Sequence, residues 1–457
     1  MKKGDTIAAV ATAPGEAGIA IIRISGPETY RIADEIFCGR GDKPSKRHPF
    51  SFAYGSICDR DKHRIDDVLM LFMRAPRSYT GEDQVEIHGH GGTISCQRIL
   101  RRVLEAGARL AEPGEFTQRA FLNGRLDLVQ AEAVLDLIKA RSERAARAAV
   151  DQLGGAISVS LSTIYDESVA VAADLESTMD FPEDELPEAV MENILHRLKE
   201  IRCRVNALLA TWSDGRLLRE GALIVIAGRP NVGKSTLMNV LLGQNRAIVS
   251  DTPGTTRDTI EEGYVLNGVP LRLVDTAGLR ETDCDIEREG IRRSHDHLDR
   301  ADGTLYLVDA QEGLNKEDEQ NIGRMTADRC LVIWNKMDLA TKNPTLGKPE
   351  IRELHISLKD HQSVGLIRTA LAELLHTGYK QGADQQAVIS ERHRTILLEF
   401  QRQLTQATEL ITLRRDDQIP LASAHLRDGL EALGMATGRV YHQELLNSIF
   451  SRFCIGK

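Results

Sequence analysis

Eight consecutive residues, Gly228-Arg229-Pro230-Asn231-Val232-Gly233-Lys234-Ser235, have the spacing G-x-x-x-x-G-K-[ST] and follow the strand-like run LIVIA. Such a loop turns successive backbone N–H groups toward one anion. Lys234 then reaches the β- and γ-phosphates, and the Ser235 hydroxyl becomes a magnesium ligand at the positive end of a helix. Thr236 extends that helix start, and Asn231 and Val232 complete the curl. Further along, Asp275-Thr276-Ala277-Gly278 closes the run LRLVD, which puts a carboxylate at a strand tip where it can hold magnesium through water, with the Gly278 N–H facing a γ-phosphate. Asn335-Lys336-Met337-Asp338 follows CLVIW. A carboxylate at 338 accepts both N1–H and the exocyclic amine of guanine, whereas adenine would leave buried groups unpaired. Ser357-Leu358-Lys359 follows LHI, where a backbone N–H can meet guanine O6. In this order the set reads as the signature of a guanine nucleotide hydrolase.

Two details narrow the chemistry. Leu279 follows DTAG where small signalling GTPases carry a water-orienting glutamine, so hydrolysis has to use another group. The loop Ser250-Asp251-Thr252-Pro253-Gly254-Thr255-Thr256-Arg257-Asp258 offers Thr255 and Thr256 as switch residues, Thr256 being the better second magnesium ligand. Asn231 either lends an oxygen to a monovalent cation between the β- and γ-phosphates or only braces the loop. Outside this region Cys454 is a candidate nucleophile or proton relay, with a structural thiol the equal alternative. His88 and His90 in IHGHGG lack further ligands at metal-binding spacing and read as satisfied histidines in a turn. Glu183-Asp184-Glu185 reads as a solvated loop.

The elements that must position these groups follow from periodicity. Residues 1–122 alternate short strand-like runs, TIAAVAT, AGIAIIRISG, DDVLMLFM and DQVEIHGHGG, with glycine-rich turns, an α+β pattern. From 123 to 218 the apolar residues Leu128, Ala131, Leu135, Ile138, Ala145 and Ala149 recur mostly at helical intervals. Residues 219–379 return to apolar strands separated by helices, predicting a mostly parallel sheet, and Asn267-Gly268 marks a hairpin that adds one antiparallel strand. Residues 380–457 are helical again, so the α/β unit reads as an insertion in a helical domain. The chain has 457 residues, long enough for several cores. Its 58 basic and 67 acidic residues leave a net charge of −9, which excludes a polycation wrapped around nucleic acid. Seven scattered cysteines without a C-x-x-C pair argue against a disulfide framework or zinc site. With no clean signal peptide and no long apolar window, a cytoplasmic protein is expected.

The combination GRPNVGKST, DTPGTTRD, DTAGLRE and NKMD, with GIAIIRISGP, TGEDQVEIHGHGG, PGEFTQRAFLNGRLDL and a final FCIGK, closely resembles the MnmE (TrmE) family of tRNA modification GTPases over nearly the whole chain. The resemblance implies a multidomain α/β protein: an α+β tetrahydrofolate-binding and dimerisation domain (1–122), a helical domain in two parts (123–218 and 380–457) and an inserted Ras-like P-loop G domain (219–379). It also implies a homodimer and a heterotetramer with the flavin-dependent partner MnmG (GidA), which carries FAD and uses NADH. The shared product would be an aminomethyl or carboxymethylaminomethyl group at C5 of the wobble uridine (position 34) of certain tRNAs. The one-carbon unit would come from a 5,10-methylene- or 5-formyl-tetrahydrofolate. By the same resemblance Asn231 ligates potassium with backbone oxygens of Ser250, Thr252 and Thr255, and Glu287 orients the attacking water. Arg257 and Arg280 support the switches, and Arg23, Glu86, Arg125 and Lys457 bind folate. The competing reading is a regulatory GTPase of ribosome assembly or RNA binding with no covalent chemistry.

Overall fold

The computed structural model describes residues 4–180, 188–243, 262–275, 300–360, 362–375, 388–413 and 418–457. Its contacts form two compact units: Met1–Leu135, Leu153–Arg202 and Ile396–Lys457 in the first, Asp136–Gln152 and Cys203–Thr395 in the second. The second is therefore inserted in the chain of the first.

The chain begins with β1 (Ile7–Val10), β2 (Ala17–Ser25), α1 (Thr29–Ile36), β3 (Phe37–Gly39), β4 (Ser51–Cys58), β5 (Arg64–Met73), β6 (Gln84–Gly91), α2 (Thr93–Glu105), β7 (Arg109–Leu110) and α3 (Glu115–Leu122). The strands form one sheet in the order β3-β4-β5-β6-β2-β1-β7. Only β1 and β7 run parallel; the other neighbours are antiparallel. Period-two alternation sends Ile22, Ile24, Met70, Phe72, Val85 and Ile87 into a core closed by Ile32, Ile36, Ile99 and Val103 of α1 and α2. The intervening residues belong to the other face. Arg23 and Glu86 are among them, and the β2–β6 register sets them directly opposite each other.

The chain continues through α4 (Leu128–Lys139), α5 (Glu143–Leu153), α6 (Ala156–Asp180), α7 (Glu188–Ala210) and α8 (Trp212–Glu220). Then come β8 (Ala222–Gly228), α9 (Lys234–Leu242), β9 (Glu262–Leu266), β10 (Val269–Asp275), β11 (Gly303–Asp309), α10 (Lys316–Arg324), β12 (Cys330–Asn335), β13 (Arg352–His355) and α11 (Gln362–Leu374). Helices α12 (Glu391–Thr412), α13 (Ile419–Thr437) and α14 (Gln443–Phe450) follow. The second sheet has the order β13-β12-β11-β8-β10-β9. It is parallel except for β9, which pairs antiparallel with β10 across the Asn267-Gly268 turn. Strands β8, β11 and β12 are buried along almost their whole length, as helices on both faces of a parallel sheet require. An Asn315–Asp318 capping box starts α10.

Arg219 of α8 draws flanking chain into this unit: it donates to Asp136, Gln152 and the carbonyls of Val388 and Ile389. In the first unit α6 packs against α13. Helix α6 buries Ile157, Leu161, Ile164, Val171 and Leu175, and α13 buries Ala422, Leu426, Leu433 and Ala436, all at three- to four-residue steps or their sums. No described helix is long and apolar enough to cross a membrane.

Candidate functional site

In the second unit strand β8 ends at Gly228, and the loop 229–233 delivers the chain to α9. Gly233 has φ +109°, and a Cβ there would lie 2.4 Å from Asn335 Nδ2, so glycine is required both by backbone angle and by space. Asn231 also has positive φ, at 64°. The Lys234 ammonium is buried inside the curl, donating to the carbonyls of Gly228 (2.8 Å) and Arg229 (2.7 Å). Ser235 and Thr236 stand exposed in the first turn of α9, where the helix dipole and unpaired N–H groups favour an anion. Val232 packs into the core beneath.

The ends of β12 and β13 bring the second motif to the same loop. Asn335, buried at the last position of β12, donates from Nδ2 to the Val232 carbonyl (2.8 Å) and accepts the Leu358 N–H at Oδ1 (3.1 Å). One amide thus ties the phosphate loop to the 357–359 loop. Asp338 accepts from Ser357 Oγ (2.8 Å) and Lys359 Nζ (3.0 Å), and these bonds hold its carboxyl below the ordinary range against a smaller burial effect. Lys336 donates to Asp309 at 2.7 Å. Burial opposes ionisation of Asp309, but Lys336 and the backbone N–H groups of Gln311 and Glu312 outweigh it and lower its pKa. Asp309 is a tie that motif reading missed; its only signal was an aspartate ending the run TLYLVD. Arg229 likewise pairs with Glu312 and Asp318 and donates to the Gly313 carbonyl.

Asp275 ends β10, and its partner strand β8 leads into the phosphate loop. Ser250, Asp251, Thr252, Pro253, Gly254, Thr255, Thr256, Arg257, Thr276, Ala277, Gly278, Arg280 and Glu287 lie outside the described residues, as does the 183–185 acidic stretch. Of the expected magnesium pair Ser235 is described, and of the expected potassium set Asn231. Their exposed positions at the loop and helix start fit hard, oxygen-seeking cations beside phosphate.

The first unit holds a second cluster. Arg23 Nε donates to Glu86 Oε1 at 2.9 Å, and its guanidinium lies 5.3 Å from the Tyr79 ring centre and 5.6 Å from that of Phe116. The last residues of the chain meet this pair: Arg23 Nη1 donates to the Gly456 carbonyl (3.4 Å), while Gly114 and Phe116 N–H donate to the carbonyls of Cys454 (3.4 Å) and Lys457 (3.2 Å). The C-terminal segment thereby caps the start of α3. Gly456 has φ +98°, and a Cβ on it would meet the Val10 carbonyl oxygen at 2.2 Å. Burial, and then the Arg23 charge, lower the pKa of Lys457, with Glu86 opposing. Two cations around one carboxylate suit a ligand that carries both N–H donors and negative charge. Gln84 Oε1 is buried beside them without a hydrogen-bond partner among the described residues, an acceptor that a ligand N–H can satisfy.

Arg125 stands at a neighbouring cleft of about 810 Å³, where its Nε donates to the Ser78 carbonyl and Tyr79 forms part of the wall. Tyr79, held through its hydroxyl by Thr117 at 2.8 Å, and Phe116 were not singled out from the sequence; isolated aromatics carry no signal until the fold sets them over a guanidinium. His88 and His90 lie on strand β6, not in a turn, and are paired with Glu86 (3.4 Å) and Asp66 (2.7 Å). Cys454 is an exposed free thiol.

Beneath this cluster runs an ionic network centred on two buried residues, Glu115 and Arg119. Arg119, 4% exposed at its side chain, bonds Asp5, Glu82 and Glu115, and Arg109 adds bonds to Asp5 and Glu115. Ser25 links Glu82 to Thr80. The network fixes the 78–82 loop, and Tyr79 with it, against the start of α3.

A parallel sheet with a phosphate loop after one strand and an NKMD turn braced to it defines a P-loop GTPase unit. Comparison with known proteins carries the assignment to a family. Residues 128–454 match the MnmE helical domain, and residues 6–125 match the family described as GTP-binding protein TrmE N-terminus. The tRNA modification GTPases MnmE of Carboxydothermus hydrogenoformans and Alkaliphilus metalliredigens are each 40% identical to the chain over 461 aligned positions, covering 99% of both sequences. The chain belongs to the MnmE family of tRNA modification GTPases. It is a multidomain α/β protein with an inserted G domain.

Proposed function

We propose that the protein is a potassium-stimulated GTP hydrolase that, with a flavin-dependent partner, installs an aminomethyl or carboxymethylaminomethyl group at C5 of the wobble uridine, drawing one carbon from a tetrahydrofolate. The observation that carries the folate half is the meeting of Arg23 and Glu86, opposed on adjacent strands, with Gly456 and Lys457 from the other end of the chain. A pterin presents amide and amine donors to a carboxylate such as Glu86, and its glutamate carboxylates suit Arg125 and Lys457. A ribosome-assembly switch has no use for such a cluster.

For the GTPase half, Lys234 and the loop N–H groups bind phosphates, Asn335 braces the loop and Asp338 selects guanine. Magnesium would be held by Ser235 and Thr256, and potassium by Asn231, Ser250, Thr252 and Thr255. The cation would supply positive charge at the phosphates that an arginine would otherwise bring. Glu287 is the proposed water-orienting acid. Residues 1–122 are the proposed dimerisation and folate domain, 123–218 and 380–457 the helical domain, and 219–379 the G domain; FAD and NADH belong to the partner.

The deciding experiment combines two measurements on the full chain. GTP turnover is compared in potassium and in sodium at equal ionic strength, and binding of 5-formyl-tetrahydrofolate is titrated for wild type and Arg23→Ala. Faster turnover in potassium, and folate binding lost in the variant, are expected. Turnover indifferent to the cation ends the potassium assignment. Absence of folate binding in wild type ends the one-carbon assignment and favours a purely regulatory GTPase.

A further inference from the structure

The cleft beside Arg125 has a composition that the folate reading uses only in part. Its walls include Met73, Arg77, Ser78, Tyr79, Asn123 and Arg125, and no carboxylate is among its lining residues. At about 810 Å³ it lies in the range of small-ligand sites. Arg77 is exposed, and its side chain has no partner among the described residues. Arg125 spends Nε on the Ser78 carbonyl, which sets the plane of its guanidinium. Two guanidinium groups on one concave wall, with no acid to neutralise them, favour a ligand carrying several carboxylates.

The cleft is joined to the Arg23–Glu86 cluster in two ways. Tyr79 lines the cleft and lies beneath Arg23. Met73, also on its wall, accepts a 3.8 Å contact from Gln84 Nε2, which in turn donates to Glu86 at 3.3 Å. A molecule whose ring sits against Glu86 and Arg23 would therefore have the cationic cleft one side chain, Tyr79, away. We infer that this cleft seats a γ-linked oligoglutamate tail, with Arg125 and Arg77 as successive carboxylate partners, so that the protein takes polyglutamylated folate in preference to the monoglutamate. The inference rests on the folate reading above and deepens it by naming the ligand form. An RNA backbone is the less suited occupant, because phosphate tracking uses an extended basic surface, whereas these two cations stand in one cleft that shares Tyr79 with the ring site.

The test is isothermal titration of the full chain with 5-formyl-tetrahydrofolate bearing one or three glutamates, at matched ionic strength. Each added carboxylate meets a partly exposed charge pair, so wild type should bind the triglutamate about tenfold more tightly. Arg77→Ala should reduce that ratio to about two, and Arg77→Lys should recover part of it. Equal wild-type affinity for the two forms overturns the inference without need of any variant. So does an Arg77→Ala ratio equal to that of wild type, or a variant that loses tRNA affinity while keeping its triglutamate preference. If neither folate binds, it is the folate reading itself that fails, which separates the two outcomes.

Discussion

Replacing Asn335 by alanine tests whether one buried amide couples phosphate binding to base recognition. Its side chain makes two bonds, Nδ2 to the Val232 carbonyl at 2.8 Å and Oδ1 from the Leu358 N–H at 3.1 Å. Truncation leaves a carbonyl and an N–H unpaired, at about 1–3 kcal/mol each, and water entering the vacated space brings the sum to about 2–3 kcal/mol. Both orphaned groups belong to loops that have to be in place when nucleotide is bound, so much of the loss should appear in binding. At about 1.4 kcal/mol per tenfold, GTP affinity should fall about thirty- to a hundredfold. Equilibrium titration with a fluorescent GTP analogue at fixed magnesium measures this, and hydrogen exchange at the Val232–Lys234 amides reports the loop directly. Affinity within twofold of wild type, with unchanged exchange, would show that the amide is no brace and that the two loops are set independently.

Other outcomes follow from the same geometry. Asp338→Asn should shift preference from GTP toward XTP by at least about tenfold, because the exchanged donor favours a carbonyl at C2; competition binding that still favours GTP refutes the guanine assignment. Gly456→Ala adds a Cβ 2.2 Å from the Val10 oxygen at φ +98°. It should displace the C-terminal segment and weaken folate binding about tenfold or more while GTP turnover of the isolated protein persists, and calorimetry showing undiminished folate binding would remove that segment from the site. Burial raises the pKa of Asp5 and Glu115, but their bonds to Arg109 and Arg119 outweigh it and hold both carboxyls below their ordinary values. Their stabilisation is complete above the unfolded carboxyl values of about 4 and fades as pH falls through the lower folded values. Glu115→Gln should therefore lower stability near neutrality and flatten the acid limb of unfolding followed by circular dichroism; an unchanged acid limb contradicts it.

The local chemistry of the nucleotide unit was legible in the sequence because its parts are contiguous. The phosphate loop needs G-x-x-x-x-G-K-S on one stretch of chain, since neighbouring N–H groups do the binding, and the apolar strands separated by helices around it read as a mostly parallel sheet. The antiparallel edge was equally legible, as Asn267-Gly268 is a turn whatever surrounds it. The network beneath the Arg23–Glu86 cluster was not. Asp5, Glu82, Arg109, Glu115 and Arg119 look like ordinary surface charges in sequence, and only packing gathers them around the buried pair Glu115 and Arg119, where an unpaired member would be costly. The same holds for Arg23, Glu86 and Lys457. Their side-chain types are local facts, but the meeting of positions 23, 86 and 457 depends on strand register and on Gly456, which lets the backbone at 456 pass against β1. Sequence determined what each group can donate or accept; tertiary structure decided which groups share one low-dielectric space, because proximity across hundreds of residues is a property of the folded chain alone.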